Sequence, residues 1–180
     1  MSLLLRPWSV SDAAGLYVDR VTSPDLDRQF ADDILSVEEA EQYIPKYLPF
    51  SKRAKNWALI VDDMAVGNIG LSDINPHNES AWAFYWLAAG AREKGYAARG
   101  LATVADWAFR NGLYRLELGH RTNNPESCRV ATRAGFLVEG LEREKLKYGS
   151  ERFDVELHSR LATDPNPEIE LIPIEVTGDS

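Results

Sequence analysis

Apolar residues alternate with polar ones in short runs through the first half of the chain, and two segments between these runs have helical spacing. The run at residues 3–8 predicts a first strand. Ser36, which is followed by acidic residues, predicts the start of a second helix that continues towards Tyr47. A first helix is expected to follow Ser11 and Asp12. Its buried positions are expected to be Ala14, Leu16 or Tyr17, and Val21.

Three further apolar runs, at residues 57–61, 65–71 and 81–87, predict strands. Residues 62–63 and 75–78, which separate these runs, are rich in the residue types that turns favour. Because consecutive strands with such short connections pair antiparallel, the pattern predicts a meander.

The second half of the chain begins with a long amphipathic helix. A strand follows at residues 115–118, then a helix from Asn124 to Gly135, then a hairpin within residues 145–157. The predicted order is βααβββαβαββ, an α/β (α+β) fold. The inward stripe of the long helix is Ala97, Leu101, Val104, Ala105 and Ala108.

The length of 180 residues predicts one domain, here residues 1–162, followed by an acidic, proline-containing tail at 163–180. The tail is expected to be mobile or to form a dimer contact, although residues 169–176 alternate enough to pair along a sheet edge. The expected assembly is a monomer or a homodimer.

The charge balance affects the choice of partner. With 28 acidic and 20 basic residues the net charge is −8, which favours a cationic partner and disfavours nucleic acid. The apolar stretches are too short to span a membrane, and Arg6-Pro7 interrupts the N-terminus before a signal peptide could form. The sequence therefore predicts a cytoplasmic protein without a membrane partner.

The chain has one cysteine, Cys128, and three histidines. A lone cysteine excludes an intrachain disulfide, and so few soft ligands predict that there is no metal site. Cys128 is expected to be a small packing residue rather than a nucleophile.

The loop at residues 90–98 places cationic side chains among small residues immediately before the long helix. A helix N-terminus with glycine nearby suits an anion such as phosphate. The loop lacks the Lys-Ser/Thr of a Walker motif and the G-x-G-x-x-G of a dinucleotide fingerprint. Instead, Arg92-x-x-Gly95-x-Ala97 resembles the R/Q-x-x-G-x-G/A pyrophosphate loop of the GNAT superfamily of N-acetyltransferases.

A second motif resembles the same superfamily. Asn124-Pro125-Glu126-Ser127, followed by Gly135-Phe136, is similar to its N-x-x-S…GF element, particularly in the branch of ribosomal-protein N-terminal acetyltransferases. The resemblance covers residues 3–161 and implies a mixed, mostly antiparallel sheet of about six to seven strands with about four helices.

The resemblance also implies a site. The fourth and fifth strands would splay apart, with the pantetheine of acetyl-CoA in the gap along residues 85–89. An N–H near Leu87 or Ala88 would polarise the thioester carbonyl, and the N–H groups of residues 94–98 would bind the pyrophosphate. The implied cofactor-binding residues are Leu87, Ala88, Ala89, Arg92, Lys94, Gly95, Tyr96, Ala97, Ala98, Asn124 and Ser127.

By the same resemblance, Ser127 would donate a proton to the departing coenzyme A thiolate after direct attack by an amine. Asp73 and Glu79 are the leading candidates for the general base, and His77 between them has suitable chemistry. Trp82 and Phe84 depart from the branch, which often has an acid and a glycine there; a bulkier acceptor wall or a different base would follow.

These observations favour an acetyl-CoA-dependent N-acetyltransferase acting on a primary amine, either a protein N-terminus or a small cationic molecule. The alternative is an acyl-CoA-binding sensor or scaffold with little turnover. An interaction module that binds no cofactor is a third reading.

Overall fold

The computed structural model describes residues 2–176 and confirms the predicted order of helices and strands. Short 3-10 helices lie at Val10–Asp12, Pro24–Gln29 and Ala89–Ala91. The main elements are β1 (Leu3–Pro7), α1 (Ala13–Thr22), α2 (Val37–Tyr47), β2 (Lys55–Val61), β3 (Met64–Asn75), β4 (Ser80–Leu87), α3 (Tyr96–Arg110), β5 (Arg115–Arg121), α4 (Pro125–Arg133), β6 (Leu137–Tyr148) and β7 (Glu151–Leu161).

A single seven-stranded sheet has the order β1-β2-β3-β4-β5-β7-β6. Its neighbours pair antiparallel except β4 and β5, which are parallel. Within residues 2–176 the β4–β5 register covers three residue pairs, from Ser80↔Arg115 to Trp82↔Glu117. The later residues of the two strands diverge, so the sheet is open in its middle.

Helix α3 packs its apolar stripe on one face of the sheet. All five of its predicted inward residues are buried, together with Trp57 and Phe136. Helices α1 and α2 cover the other face around Trp86. No helix within residues 2–176 is long and apolar enough to cross a membrane.

The predicted inward face of α1 was partly wrong. Leu16 is buried as expected, but Ala14 is exposed and Val21 is 59% exposed. Ala13 and Asp19 are buried in their place. Gly15 faces β3, where a Cβ would lie 3.5 Å from Ala65 O, so the contact of α1 with the sheet selects the face that carries Ala13 and Leu16.

The C-terminal segment lies along the free edge of β1 as far as residue 176. Leu5 pairs with Ile174 through a parallel bridge, and the N–H of Leu5 donates to Pro173 O at 2.9 Å. Ile172 is 3% exposed, and its N–H donates to Thr103 Oγ1 of α3 at 2.8 Å. The edge pairing is thus confirmed, and mobility does not describe these residues. Residues 177–180 of the predicted tail lie outside the described part, and the dimer contact and the boundary at 162 stay predictions.

Candidate functional site

The opening between β4 and β5 leaves one edge of β4 without a strand partner. Alternate residues of a strand direct their N–H groups to opposite neighbours. The N–H of Ala88 donates to Val66 O at 2.9 Å, towards β3. The N–H groups of Tyr85 and Leu87 therefore point towards the gap. Of the two predicted carbonyl-polarising donors, Leu87 has the suitable direction and Ala88 does not.

The N-terminus of α3 lies near the end of β4 at which these N–H groups are found. Helix α3 begins at Tyr96 after Gly95, whose φ of +77° is strained for a residue with a side chain. Gly95 at the N-cap position has no side chain with which to cap the helix. The first turn of a helix presents N–H groups without helical acceptors and carries partial positive charge. Residues 95–98 thus form a suitable cradle for a phosphate group.

Arg92 fixes the shape of this loop. Its Nε donates to Leu87 O at 3.0 Å, and its Nη1 lies 2.9 Å from Asp25 Oδ2. The N–H of Ala89 donates to Ser23 Oγ at 2.9 Å. Arg92 and Ala89, which the motif implied as cofactor contacts, therefore also tie the loop to the segment after α1.

A second cation near the loop was missed by the sequence analysis. A Cβ built on Gly95 would lie 4.0 Å from Nη1 of Arg133, at the end of α4. Lys94 is exposed in the loop itself. Arg133 belongs to a different motif, so only the packing of α4 beside α3 shows that its charge is close to the helix end.

Ser127 lies in the first turn of α4, where Asn124 is the N-cap. The N–H of Ser127 donates to Asn124 Oδ1 at 3.2 Å, as the sequence predicted for the cap. The hydroxyl of Tyr85 donates to Ser127 Oγ at 3.3 Å. Burial raises the pKa of Tyr85, and its hydrogen bond to Ser127 partly opposes this, so the phenol remains a donor.

The strand alternation of β4 places Tyr85 and Trp86 on opposite sides of the sheet. Tyr85 lies on the α4 side with Ser127, whereas Trp86 stacks on Trp8 at 5.9 Å between ring centroids and contacts Phe30 at 5.2 Å. Strand alternation alone does not decide which of the two faces α4, and the structure identifies Tyr85.

Asp73 and Glu79 lie at the opposite end of β4 from the loop at residues 90–98 that precedes α3. Both are exposed, with φ of +50° and +51° around the β3–β4 turn. Glu79 precedes Ser80, and the five residue steps from Ser80 to Tyr85 span roughly 17 Å. The structure therefore does not bring these candidate bases, or the exposed His77 between them, to Ser127.

A buried carboxylic acid in α1 was also missed. Asp19 lines a cleft of about 300 Å³ together with Gly90, Lys94 and Tyr96. One oxygen of its buried carboxyl group has no hydrogen-bond partner. Burial raises the pKa of Asp19 to about 7. The sequence does not indicate that Asp19 is buried, because acidic residues of an amphipathic helix such as α1 usually face solvent.

Side chains with metal-binding atoms also meet beside Ser127. His120, Cys128, Glu156 and His158 bring one such atom each within 4.8 Å of one another. The number of cysteine and histidine residues predicts no metal site, because a residue count does not show that these four side chains lie together.

Comparison with known proteins places these features in a family. A model of the acetyltransferase (GNAT) domain matches residues 2–137. The ribosomal-protein-serine acetyltransferase of Escherichia coli (strain K12) is 30% identical over 109 residues, which cover 60% of this chain and 61% of that protein. The chain thus spans about three fifths of the length of this relative.

Two further similarities extend over more of the chain. The probable N-acetyltransferase YjcK of Bacillus subtilis (strain 168) is 28% identical over 156 residues, which cover 81% of this chain and 86% of that protein. The solved structure of RimL, a ribosomal L7/L12 alpha-N-protein acetyltransferase in complex with coenzyme A, has a TM-score of 0.80 at 23% identity. The match covers 89% of this chain and 94% of that one, and it shows a shared fold.

The buried Asp19 generates a pH prediction. Its pKa is about 7 in the folded chain and near 3.8 when unperturbed, so between these values the folded state binds more protons. The free energy of unfolding of the wild type therefore falls across this window as pH rises. Asp19→Asn cannot ionise, so its melting temperature relative to wild type should increase from about pH 4 to about pH 7 and stay constant above.

Thermal unfolding followed by circular dichroism across this range measures the difference. Asp63→Asn, in the exposed β2–β3 turn, is the matched control and should show no such increase. If the difference in melting temperature between Asp19→Asn and the wild type were the same at every pH, this result would contradict the raised pKa of Asp19.

Proposed function

Because the chain belongs to the acetyltransferase (GNAT) domain family, we propose that it transfers an acetyl group from acetyl-CoA to a primary amine by direct attack in a ternary complex. The observation that carries this proposal is the joining of two features. Beyond Trp82 the pairing of β4 with β5 ends, and residues 88–95 lead from β4 into the N-terminus of α3, so an unpaired strand edge and a helix N-terminus that suits an anion lie at the same end of β4.

The residues present fit acetyl-CoA. The N–H groups of residues 95–98, with Arg133 nearby, would hold the pyrophosphate, and the edge from Tyr85 to Leu87 would hold the pantetheine amides. The bound thioester supplies the acetyl group. The N–H of Leu87 would stabilise negative charge that develops on the carbonyl oxygen.

Ser127 would protonate the departing thiolate. Its hydroxyl accepts a hydrogen bond from Tyr85, which leaves its own proton directed elsewhere. Asn124, rather than the Ser127 side chain, caps α4. The Ser127 hydroxyl is thus not required to start the helix and is available for chemistry.

For the acceptor we propose a protein N-terminus, with a small cationic amine as the alternative. The E. coli relative is named for a ribosomal-protein serine, which supports the first. The net charge of −8 suits either cationic acceptor. Such acceptors are consistent with a cytoplasmic location, which we also propose. The runner-up function remains an acyl-CoA sensor or scaffold with little turnover.

Asp73 and Glu79 remain our proposed bases for the acceptor amine. The parallel pairing of β4 with β5 ends at Trp82, three residues after Glu79. The gap therefore begins near the β3–β4 turn, which these carboxylates flank. An acceptor that enters from this end would meet them before it reaches Ser127. A role as base requires that the acceptor amine, or one water bound to it, comes within hydrogen-bond reach of one of these carboxylates.

A thiol-release assay tests the activity. Wild-type protein with acetyl-CoA and a serine-initiated peptide should release coenzyme A steadily, and spermidine in a parallel reaction tests the small-amine alternative. Gly95→Glu should abolish release and acetyl-CoA binding, because it adds an anion and backbone strain at the phosphate cradle. Isothermal titration calorimetry measures the binding.

Gly112→Glu is the matched control. Gly112 has φ of +91°, and a Cβ there would meet nothing within 4 Å, so the variant has the same charge and similar strain away from the loop. It should bind acetyl-CoA like the wild type. Tight binding without thiol release for any amine would support the sensor instead, and binding by Gly95→Glu as tight as wild type would show that the loop is misassigned.

Ser127→Ala should lower kcat by roughly 100-fold, the lower range for general acid catalysis, with little change in acetyl-CoA affinity or melting temperature. Tyr85→Phe removes one hydrogen bond to Ser127 and should lower kcat by up to about tenfold. Steady-state kinetics and thermal unfolding separate the effects. Equal losses of kcat, affinity and stability in Ser127→Ala would indicate a structural role.

At least one of Asp73→Asn and Glu79→Gln should lower kcat/KM by about 100-fold near neutral pH, because a neutral amide cannot accept the amine proton. Binding of acetyl-CoA should be unchanged, since both residues are remote from the anion loop. A pH–rate profile should lose its acidic limb in the affected variant. Wild-type kcat/KM in both variants would exclude both residues as the base.

A further inference from the structure

Four side chains with metal-binding atoms converge where β5, β7 and α4 meet. His120 comes from β5, Glu156 and His158 come from β7, and Cys128 comes from the first turn of α4. One ligand atom of each lies within 4.8 Å of the others. Imidazole nitrogen, thiolate sulfur and carboxylate oxygen are the three donor types that zinc uses in proteins.

The strand register explains the convergence. His120 pairs with Glu156 across the antiparallel β5–β7 ladder, and His158 lies two residues further along β7 on the same face. The start of α4 covers this face, which brings Cys128 over the three strand residues. His158 is fully buried and His120 is 9% exposed, whereas Cys128 and Glu156 are half-buried, so an ion can reach the cluster from solvent.

Hydrogen bonding alone satisfies this cluster poorly. Nδ1 of His120 lies 2.9 Å from the carbonyl oxygen of Arg121, which can only accept, so Nδ1 carries the proton and Nε2 has a lone pair. Nε2 of His158 lies 2.9 Å from both His120 Nε2 and Glu156 Oε1. The buried Nδ1 of His158 has no hydrogen-bond partner within residues 2–176, and a metal ion on Nε2 would not change that. One proton on Nε2, however, would have to serve two acceptors.

A metal ion removes this conflict, because each lone pair then points at one cation. In tetrahedral zinc sites with bonds of about 2.0–2.3 Å, ligand atoms are roughly 3.3–3.8 Å apart. The 3.4 Å between His120 Nε2 and Glu156 Oε1 already lies in this range, and the two contacts of 2.9 Å need an expansion of only a few tenths of an ångström to reach it. The hydrogen bond from His120 Nδ1 to a backbone carbonyl is the outer partner that orients metal-binding histidines.

We propose that His120, Cys128, Glu156 and His158 form a structural binding site for one divalent transition-metal ion, with Zn²⁺ as the expected ion. Four protein ligands of these types give a closed coordination shell. Binding would release the thiol proton of Cys128 to solvent and keep the His158 proton on Nδ1. The ion would connect the first turn of α4, including the neighbouring Ser127, to β5 and β7.

Zinc titration of the full chain tests this proposal independently of acetyl transfer. Protein treated with a chelator and then dialysed should bind one Zn²⁺ per chain in competition with a chromophoric chelator, and its melting temperature should rise. Replacement by Co²⁺ should produce a thiolate-to-cobalt charge-transfer band. Absence of stoichiometric binding in the wild type would overturn the proposal.

Variants distinguish the cluster from adventitious surface binding. Cys128→Ser and Glu156→Gln keep side-chain size and should lower zinc affinity by more than the roughly 10- to 100-fold lost with an outer partner. His77→Ala removes the exposed histidine of the β3–β4 turn and should bind zinc like the wild type. Far-UV circular dichroism verifies folding. Equal zinc affinity in Cys128→Ser, His77→Ala and the wild type, or a cobalt band that persists in Cys128→Ser, would refute the site.

Discussion

An N–H group that loses its strand partner inside a protein must find another acceptor or cost about 1–3 kcal/mol. This constraint applies where β4 and β5 stop pairing after Trp82, because the N–H groups of Tyr85 and Leu87 point into the gap. The parallel pairing is part of the cause, since β4 can reach a parallel neighbour only through a crossover, and α3 is that crossover. The helix that closes the connection therefore begins beside the opened edge.

The loop between β4 and α3 is held in shape before any ligand binds. Arg92 links Leu87 to Asp25, and Ser23 accepts from the N–H of Ala89. Ser23 and Asp25 belong to the segment that follows α1. The layer that contains α1 therefore supports the proposed phosphate-binding loop at the end of β4. A preorganised loop loses less entropy on binding than a flexible one. The contacts also explain how a chain of net charge −8 retains cations at one helix end.

Periodicity and end signals were sufficient to predict the order of elements. The stripe of α3, the Asn124 cap and the turn at Gly149 depend on residues within a few positions of one another, and the structure has them as predicted. The face of α1 was predicted less well, because the contact of Gly15 with β3, and not the local pattern, sets the rotation of this helix. Local patterns thus predict an element well but its rotation poorly.

Contacts between distant segments were beyond the sequence for a different reason. Tyr85 meets Ser127 across 42 positions, and His120 meets His158 across 38. These meetings depend on strand register and on how α4 lies over the sheet, and neither can be read from composition. A count of one cysteine and three histidines therefore argued against a metal site without knowing that two of the histidines face each other.

Asp19 and His158 are buried polar groups that each have one atom without a hydrogen-bond partner within residues 2–176. Asp19 lies in a cleft with Gly90, Lys94 and Tyr96, and His158 lies on β7 among the side chains that meet beneath the start of α4. A continuous sheet buries its faces under apolar side chains, but a sheet that splits leaves backbone and side-chain polar groups near its centre. Such groups are costly unless a proton, an ion or a ligand binds them. Protonation of Asp19, or an ion or ligand bound at either group, is therefore expected to raise the stability of the fold.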